Sequence, residues 1–169
     1  PHSVRDAIII RFKALSKEAQ ELAFLIALSR RELSEDVLND AIQQLQSQTG
    51  ILIDLQHTIE QLIQFGIVQQ IGSNQSQYEV KSGWLRDFIV EQIPAEGLGL
   101  RHCIMGNAFE NAFQHNLSAV IEHLAHHFEC GENYGKAYPY LIEAADKLKN
   151  RTMMNDSMRY LERALSIES

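Results

Sequence analysis

A mainly α-helical chain is predicted, with a small β-wing closing its first part and an antiparallel helical array forming its second. Three observations predict it. Apolar residues recur at helical spacing through most of the sequence. Helix, strand, turn and strand follow one another between Asp54 and Val80. Beyond Pro94-Ala95-Glu96-Gly97, small residues stand twelve positions apart, as Ala125 and Ala137 do.

Val4–Leu15 carries Val4, Ala7, Ile8, Phe12 and Leu15 on one stripe and predicts a first helix. Ser16 caps a second over Lys17–Ser29, with Ala19, Leu22, Ala23, Leu25, Ile26 and Leu28 turned inward. Ser34 caps a third over Glu35–Gln46, whose stripe is Val37, Leu38, Ile42 and Leu45. Gln48-Thr49-Gly50 breaks the pattern. Ile51-Leu52-Ile53 reads either as a short strand or as the run-in to a helix over Asp54–Phe65. Ile59, Leu62 and Ile63 are that helix's apolar positions, and Gly66 suits its C-terminal cap. Gly66–Ile71 and Gln77–Val80 then read as a two-stranded wing joined by Gly72–Ser76.

Ser82 opens a further helix through Gln92, with Trp84, Leu85, Phe88, Ile89 and Ile93 at helical spacing. Pro94–Gly97 is the clearest break in the chain, which sets domains of residues 1–95 and 96–169. Helices are expected beyond it at Leu98–Phe113, Leu117–Cys130, Tyr134–Asn150 and Asn155–Ile167. Pro139 falls inside the third of these, where the first turn would accommodate its missing N–H.

Composition bounds the function. A chain of 169 residues makes one ordinary domain or two small ones. Its net charge of −7 argues against a nucleic-acid protein, which usually presents a basic face to phosphates. Cys103 and Cys130 match no zinc spacing and no disulfide framework, so a reduced, cytoplasmic setting is expected. No stretch approaches the roughly 18 apolar residues of a membrane span, and Pro1-His2-Ser3 opens no signal peptide. A start at Pro1 suggests a processed chain or a piece of a longer one.

Between Glu32 and Val80 there is no lysine and no arginine. Helix, strand, turn, strand is nonetheless the order of a winged helix-turn-helix, whose DNA-reading helix needs cations for phosphates. Gln56, Gln61 and Gln64 could read adenine edges, but Asp54 and Glu60 would repel the backbone. The face bearing Gln56, Glu60 and Gln64 is therefore expected to meet protein, and direct nucleic-acid binding is not expected.

In the second half, Ile121, Leu124, Ala125 and Phe128 precede Ala137, Leu141 and Ala144, the small and large positions two packed antiparallel helices require. The pattern resembles the tetratricopeptide repeat. Ala144, Ala145 and Leu148 with Ser157, Leu161 and Ala164 make a second, overlapping match. Lys149 and Ile121 occupy the repeat's late proline and early tryptophan positions, so the repeat is degenerate, and a generic helical hairpin is the alternative. About one and a half repeats, against the roughly three of an independent solenoid, must lean on neighbouring structure. Trp84, Phe88, Tyr134, Tyr138 and Tyr140 are expected to be mostly core. Tyr138 and Tyr140, two apart, cannot share one seam, so one of them is a candidate partner contact.

Several short stretches carry a family resemblance. Arg11–Gln20 resembles "R-L-x-x-L-S-x-E-A-Q", and Ile59–Val68 resembles "L-x-x-L-x-x-x-G-L-L". Tyr78–Ile93 resembles "Y-x-F-x-H-x-L-x-R-x-A-x-Y-x-x-L", with Val80 and Ser82 replacing the Phe and His. Arg101-His102 with Phe109-Glu110, Leu124–Phe128 and Tyr160–Leu165 continue the likeness. Together they resemble the region that follows the nucleotide-binding module in bacterial STAND-class signal-transduction ATPases. These include LuxR-type and maltose-regulator-like activators and ATPase modules fused to adenylate cyclases or protein kinases. The resemblance implies a winged-helix domain packed on an ATPase core and a tetratricopeptide-like region that senses partners or ligands. Any ATP would then sit in a neighbouring domain.

No catalytic constellation emerges. The sequence has no G-x-x-x-x-G-K-[ST], and Gly97-Leu98-Gly99 lacks the third glycine and preceding strand of a dinucleotide loop. His123 and His127 at i, i+4 could grip a metal, but no carboxylate or cysteine takes a matching motif position, and no metal site is expected. Cys130 reads as a buried structural thiol. Arg11, Lys13, Arg30 and Arg31 form a modest basic cluster, either a solvated face or one turned to the nucleotide-binding module. The expected function is thus a non-catalytic fragment that couples a nucleotide switch to a signalling partner protein. The alternatives are a DNA-binding winged-helix regulator with a helical dimerisation tail and, more remotely, an enzyme completed by absent domains.

Overall fold

The computed structural model describes residues 3–72, 77–150 and 153–168. The protein is mainly helical with a small three-stranded antiparallel sheet, and it divides into two compact units, Pro1–Pro94 and Ala95–Ser169.

The first unit runs α1 (Val4–Lys13), α2 (Lys17–Ser29), β1 (Leu33–Ser34), α3 (Glu35–Thr49), α4 (Leu55–Gln64), β2 (Val68–Ile71), β3 (Gln77–Val80) and α5 (Gly83–Glu91). Each early helix begins at a hydroxyl or carboxylate cap. Ser16 Oγ accepts from Ala19 N at 3.3 Å, Ser34 Oγ from Val37 N at 3.5 Å, and Asp54 Oδ1 from His57 N at 3.0 Å. The core is built on α2, which is buried from Leu22 through Ser29 on every side. A helix apolar all round belongs in an interior. Phe12 ties α1 to it, with its ring 6.2 Å from Phe24 and edge-on to Phe88 of α5 at 5.6 Å.

The expected two-stranded wing is corrected to three strands. The sheet order is β1-β3-β2, with Leu33 opposite Tyr78 and Ser34 opposite Gln77. Two residues carry no alternation to read, and their pairing partner lies far along the chain. Val68–Ile71 and Gln77–Val80 pair as expected, and Gln69 Nε2 donates to Glu79 Oε1 at 2.7 Å across the ladder. Beyond Gly72, the expected turn lies outside the described residues. Ile51–Ile53 is neither strand nor helix. Gly66 takes φ +73° just past α4, where its N–H donates to Ile63 O and the next N–H, of Ile67, to Leu62 O.

The second unit comprises α6 (Ala95–Ala112), a 3-10 turn at Leu117–Ala119, α7 (Ile121–Cys130), α8 (Tyr134–Asn150) and α9 (Met154–Glu168). The Pro94–Gly97 break is where α6 begins, so Gly97 and Gly99 lie inside a helix rather than in a loop. Successive helices pack on one another, α6 on α7, α7 on α8 and α8 on α9. Ala125, Phe128, Ala137, Leu141, Ala144 and Ala145 are buried at these seams, as are Ser157 and Ala164. Ser157 Oγ donates to Ala145 O at 2.8 Å. Leu161, which the pattern also places in the seam, is 41% exposed.

Gly106 lets α6 and α7 approach closely, for a Cβ there would lie 2.9 Å from the Phe128 ring. Pro139 is in the second turn of α8, not the first, and removes the donor that would meet the Gly135 carbonyl. Both residues are exposed there, so that carbonyl is open to solvent.

Candidate functional site

The outward face of α4 is the first candidate. Apolar positions Ile59 and Leu62 turn it inward, which leaves Gln56, His57, Glu60 and Gln64 exposed. Gln56 Nε2 donates to Glu60 Oε1 at 3.0 Å, so the stripe arrives with its own internal pairing. His57, Glu60, Gln61, Gln64 and Phe65 line a shallow depression of about 300 Å³ at the end of this helix. The surface offers amide, imidazole and carboxylate groups and no lysine or arginine.

The cations of this unit gather elsewhere. A cleft of about 620 Å³ is walled by Ala7 and Ile8 of α1 and Trp84 and Leu85 of α5, with Arg5, Arg11 and Lys81 around it. Arg5 lies over the Trp84 ring, 4.5 Å from its centre. The apolar stripe expected to seat α1 therefore opens onto this cleft: Val4 is 80% exposed, and only Phe12 and Leu15 are buried. Of the expected basic cluster, Arg11 belongs to the cleft. Arg31 instead pairs loosely with Glu32 at 3.8 Å. Arg30 takes φ +53° at the C-terminal end of α2.

In the second unit the two tyrosines part as their spacing demands. Tyr138 is exposed, while Tyr140 stacks on Phe128 at 5.8 Å and its hydroxyl donates to Glu110 of α6. Lys136 donates to Asn107 Oδ1 at 2.9 Å and to the other Glu110 oxygen. Burial pushes the Tyr140 phenol upward, and the Glu110 hydrogen bond and charge push it further, well above its usual range. The expectation that the aromatics are mostly core is corrected. Trp84, Phe88 and Tyr140 are half-buried, and Tyr134 and Tyr138 are exposed.

Two further features of this unit escaped the sequence reading. Met154, Met158, Leu161 and Leu165 form an exposed apolar stripe along α9, between 41% and 64% accessible. Arg163 of α9 chelates the Glu129 carboxylate of α7, with Nε 3.1 and 3.0 Å from its two oxygens. His123 and His127, whose spacing alone could suggest a shared ligand, have different surroundings. His127 is fully buried and its Nδ1 lies 3.0 Å from His102 Nδ1, whereas His123 stacks on Phe109 at 5.8 Å. Cys130, expected to be buried, is exposed at the end of α7. No helix among the described residues is long and apolar enough to cross a membrane.

No protein-family model matches the sequence, no curated protein matches it, and no solved structure matches its fold.

Proposed function

We propose that the chain is a non-catalytic regulatory module that binds protein through both of its units. In this reading Pro1–Pro94 is a winged-helix-like domain and Ala95–Ser169 a short tetratricopeptide-like array. The order α2-β1-α3-α4-β2-β3 and the sheet order β1-β3-β2 support the first assignment. The buried alanines at the α7–α8 seam support the second.

One observation carries the functional reading. The exposed face of α4, where a winged helix would read DNA, presents Gln56, Glu60 and Gln64 and no cation. Phosphate neutralisation supplies most of the affinity of such domains, so this helix is poorly made for duplex and well made for a polar protein surface. The exposed stripe on α9 supports a second contact, since apolar runs of that kind mark interaction surfaces. In a STAND-like polypeptide the first unit would dock on the nucleotide-binding module, which would hold the ATP. The helical array would receive the signalling partner, with Tyr138 presented beside it, in a cytoplasmic setting.

The test is an electrophoretic mobility assay with random duplex at low salt, in which no shift is expected. Submicromolar binding at physiological salt, lost on Gln61→Ala, would instead make this a DNA-binding regulator with a helical dimerisation tail.

A further inference from the structure

The histidines of the second unit converge in a way their sequence spacing hides. His102 of α6 and His126 and Cys130 of α7 bring one ligating atom each to within 4.8 Å of one another. His126 and Cys130 are four apart on a helix, the spacing that sets two side chains on one face. Cys130 Sγ lies 3.6 Å from His126 Nδ1. A tetrahedral zinc with ordinary bond lengths separates its nitrogen and sulfur ligands by roughly 3.3–3.6 Å. The sulfur is also 4.0 Å from His126 Nε2, so it sits beside the ring, and a rotation of the imidazole would turn a nitrogen lone pair toward a cation held at that spacing.

His102 completes the set from the neighbouring helix. Its ring centre is 5.4 Å from that of His126, and its Nδ1 lies 3.0 Å from His127 Nδ1. A proton on His102 Nδ1, donated to His127, leaves the lone pair on Nε2, the state in which an imidazole ligates. Such an outer hydrogen bond fixes the tautomer and orientation of metal-bound histidines. The site is graded in depth, from His102 buried through His126 half-buried to Cys130 exposed. A cation could enter at the Cys130 side and keep a fourth position for water or a partner's side chain.

We propose that His102, His126 and Cys130 form a three-ligand site for a borderline-soft divalent cation, zinc, on the α6–α7 face. Two imidazoles and a thiolate select zinc over magnesium or calcium, which prefer oxygen. Binding replaces the Cys130 Sγ–H bond with an Sγ–Zn bond and releases one proton to solvent, without redox change. The cation would lock α6 to α7 at the start of the helical array, independently of whether α4 meets protein or DNA.

The full chain, stripped with chelator, would be titrated with zinc against a chromophoric competitor and with Co²⁺ as a spectroscopic probe. One equivalent is expected, with a thiolate-to-cobalt charge-transfer band and the intense visible bands of tetrahedral cobalt. Cys130→Ser and His126→Ala, both on the accessible side, should each weaken zinc by more than the roughly 10- to 100-fold that losing an outer partner costs. Cys130→Ser should also abolish the charge-transfer band. His115→Ala and Cys103→Ser should leave both readouts intact, with circular dichroism confirming the fold of every variant. Absence of stoichiometric binding, or a charge-transfer band that survives Cys130→Ser, would overturn the site.

Discussion

The Tyr140 hydroxyl of α8 donates to the Glu110 carboxylate of α6, and Lys136 holds the carboxylate's other oxygen. Burial works against the Glu110 charge, but the two hydrogen bonds and the Lys136 ammonium outweigh it and hold the carboxyl below its ordinary range. A carboxylate depressed in the folded state contributes stability above its unfolded pKa, about 4.3 for Glu. That stability is lost as pH falls through the lower folded value. The second unit is therefore expected to weaken in acid below the usual carboxylate range. Glu110→Gln should lower stability at neutral pH by about 1 kcal/mol, since both partners are part-exposed and screened. It should also flatten the acid limb. Denaturant midpoints at neutral and acid pH would check both, and an unchanged acid limb would sink the assignment.

Two glycines answer to different physics and should respond differently to alanine. At Gly66 a Cβ meets nothing within 4 Å, but φ is +73°. Gly66→Ala should cost about 1–2 kcal/mol from backbone strain alone. Gly106 lies mid-helix, where alanine would add up to about 1 kcal/mol of helix propensity. Its Cβ would nevertheless sit 2.9 Å from the ring of Phe128, which is fully buried and cannot retreat. Overpacking costs about 1–3 kcal/mol, so Gly106→Ala should be net destabilising. Pairing it with Phe128→Leu should recover part of the loss, whereas no side-chain change should rescue Gly66→Ala. Urea melts of the single and double variants would decide.

What was legible in the sequence was what is written locally. The caps at Ser16 and Ser34 and the αL glycine after α4 each depend on residues within one turn. The alanine spacing at the α7–α8 seam was legible because helices adjacent in sequence pack on each other. What was hidden depends on distance along the chain. Leu33–Ser34 pairs with Gln77–Tyr78, more than forty residues on, and two residues show no period. His102 reaches His126 and Cys130 only once α6 folds back on α7, so reading one helix at a time suggested His123 with His127 instead. The polar face of α4 was legible in its composition. The cleft that gathers Arg5, Arg11 and Lys81 was not, because it joins α1 to α5.

If α4 holds the position of a recognition helix and lacks only charge, supplying charge should create DNA binding. Gln56, Glu60 and Gln64 are exposed, and apart from the Gln56–Glu60 bond their replacement disturbs no packing. The triple variant Gln56→Lys, Glu60→Lys, Gln64→Lys should fold with stability within about 0.5 kcal/mol of the parent, as surface changes usually do. It should bind duplex without sequence preference, because phosphate contacts position a protein but do not specify bases. Each lysine that reaches a phosphate contributes a slope of about −0.9 in log K against log salt, so three should give roughly −3. A control that places the same charge on α5, Asp87→Lys with Glu91→Lys, should gain little, since a bare increase in net charge does not dock a helix in a groove. Fluorescence anisotropy across a salt series separates the two. Equal binding by both variants would mean that charge alone acts and that α4 has no special geometry, whereas binding by the α4 variant alone would tie its polar native face to a role other than reading DNA.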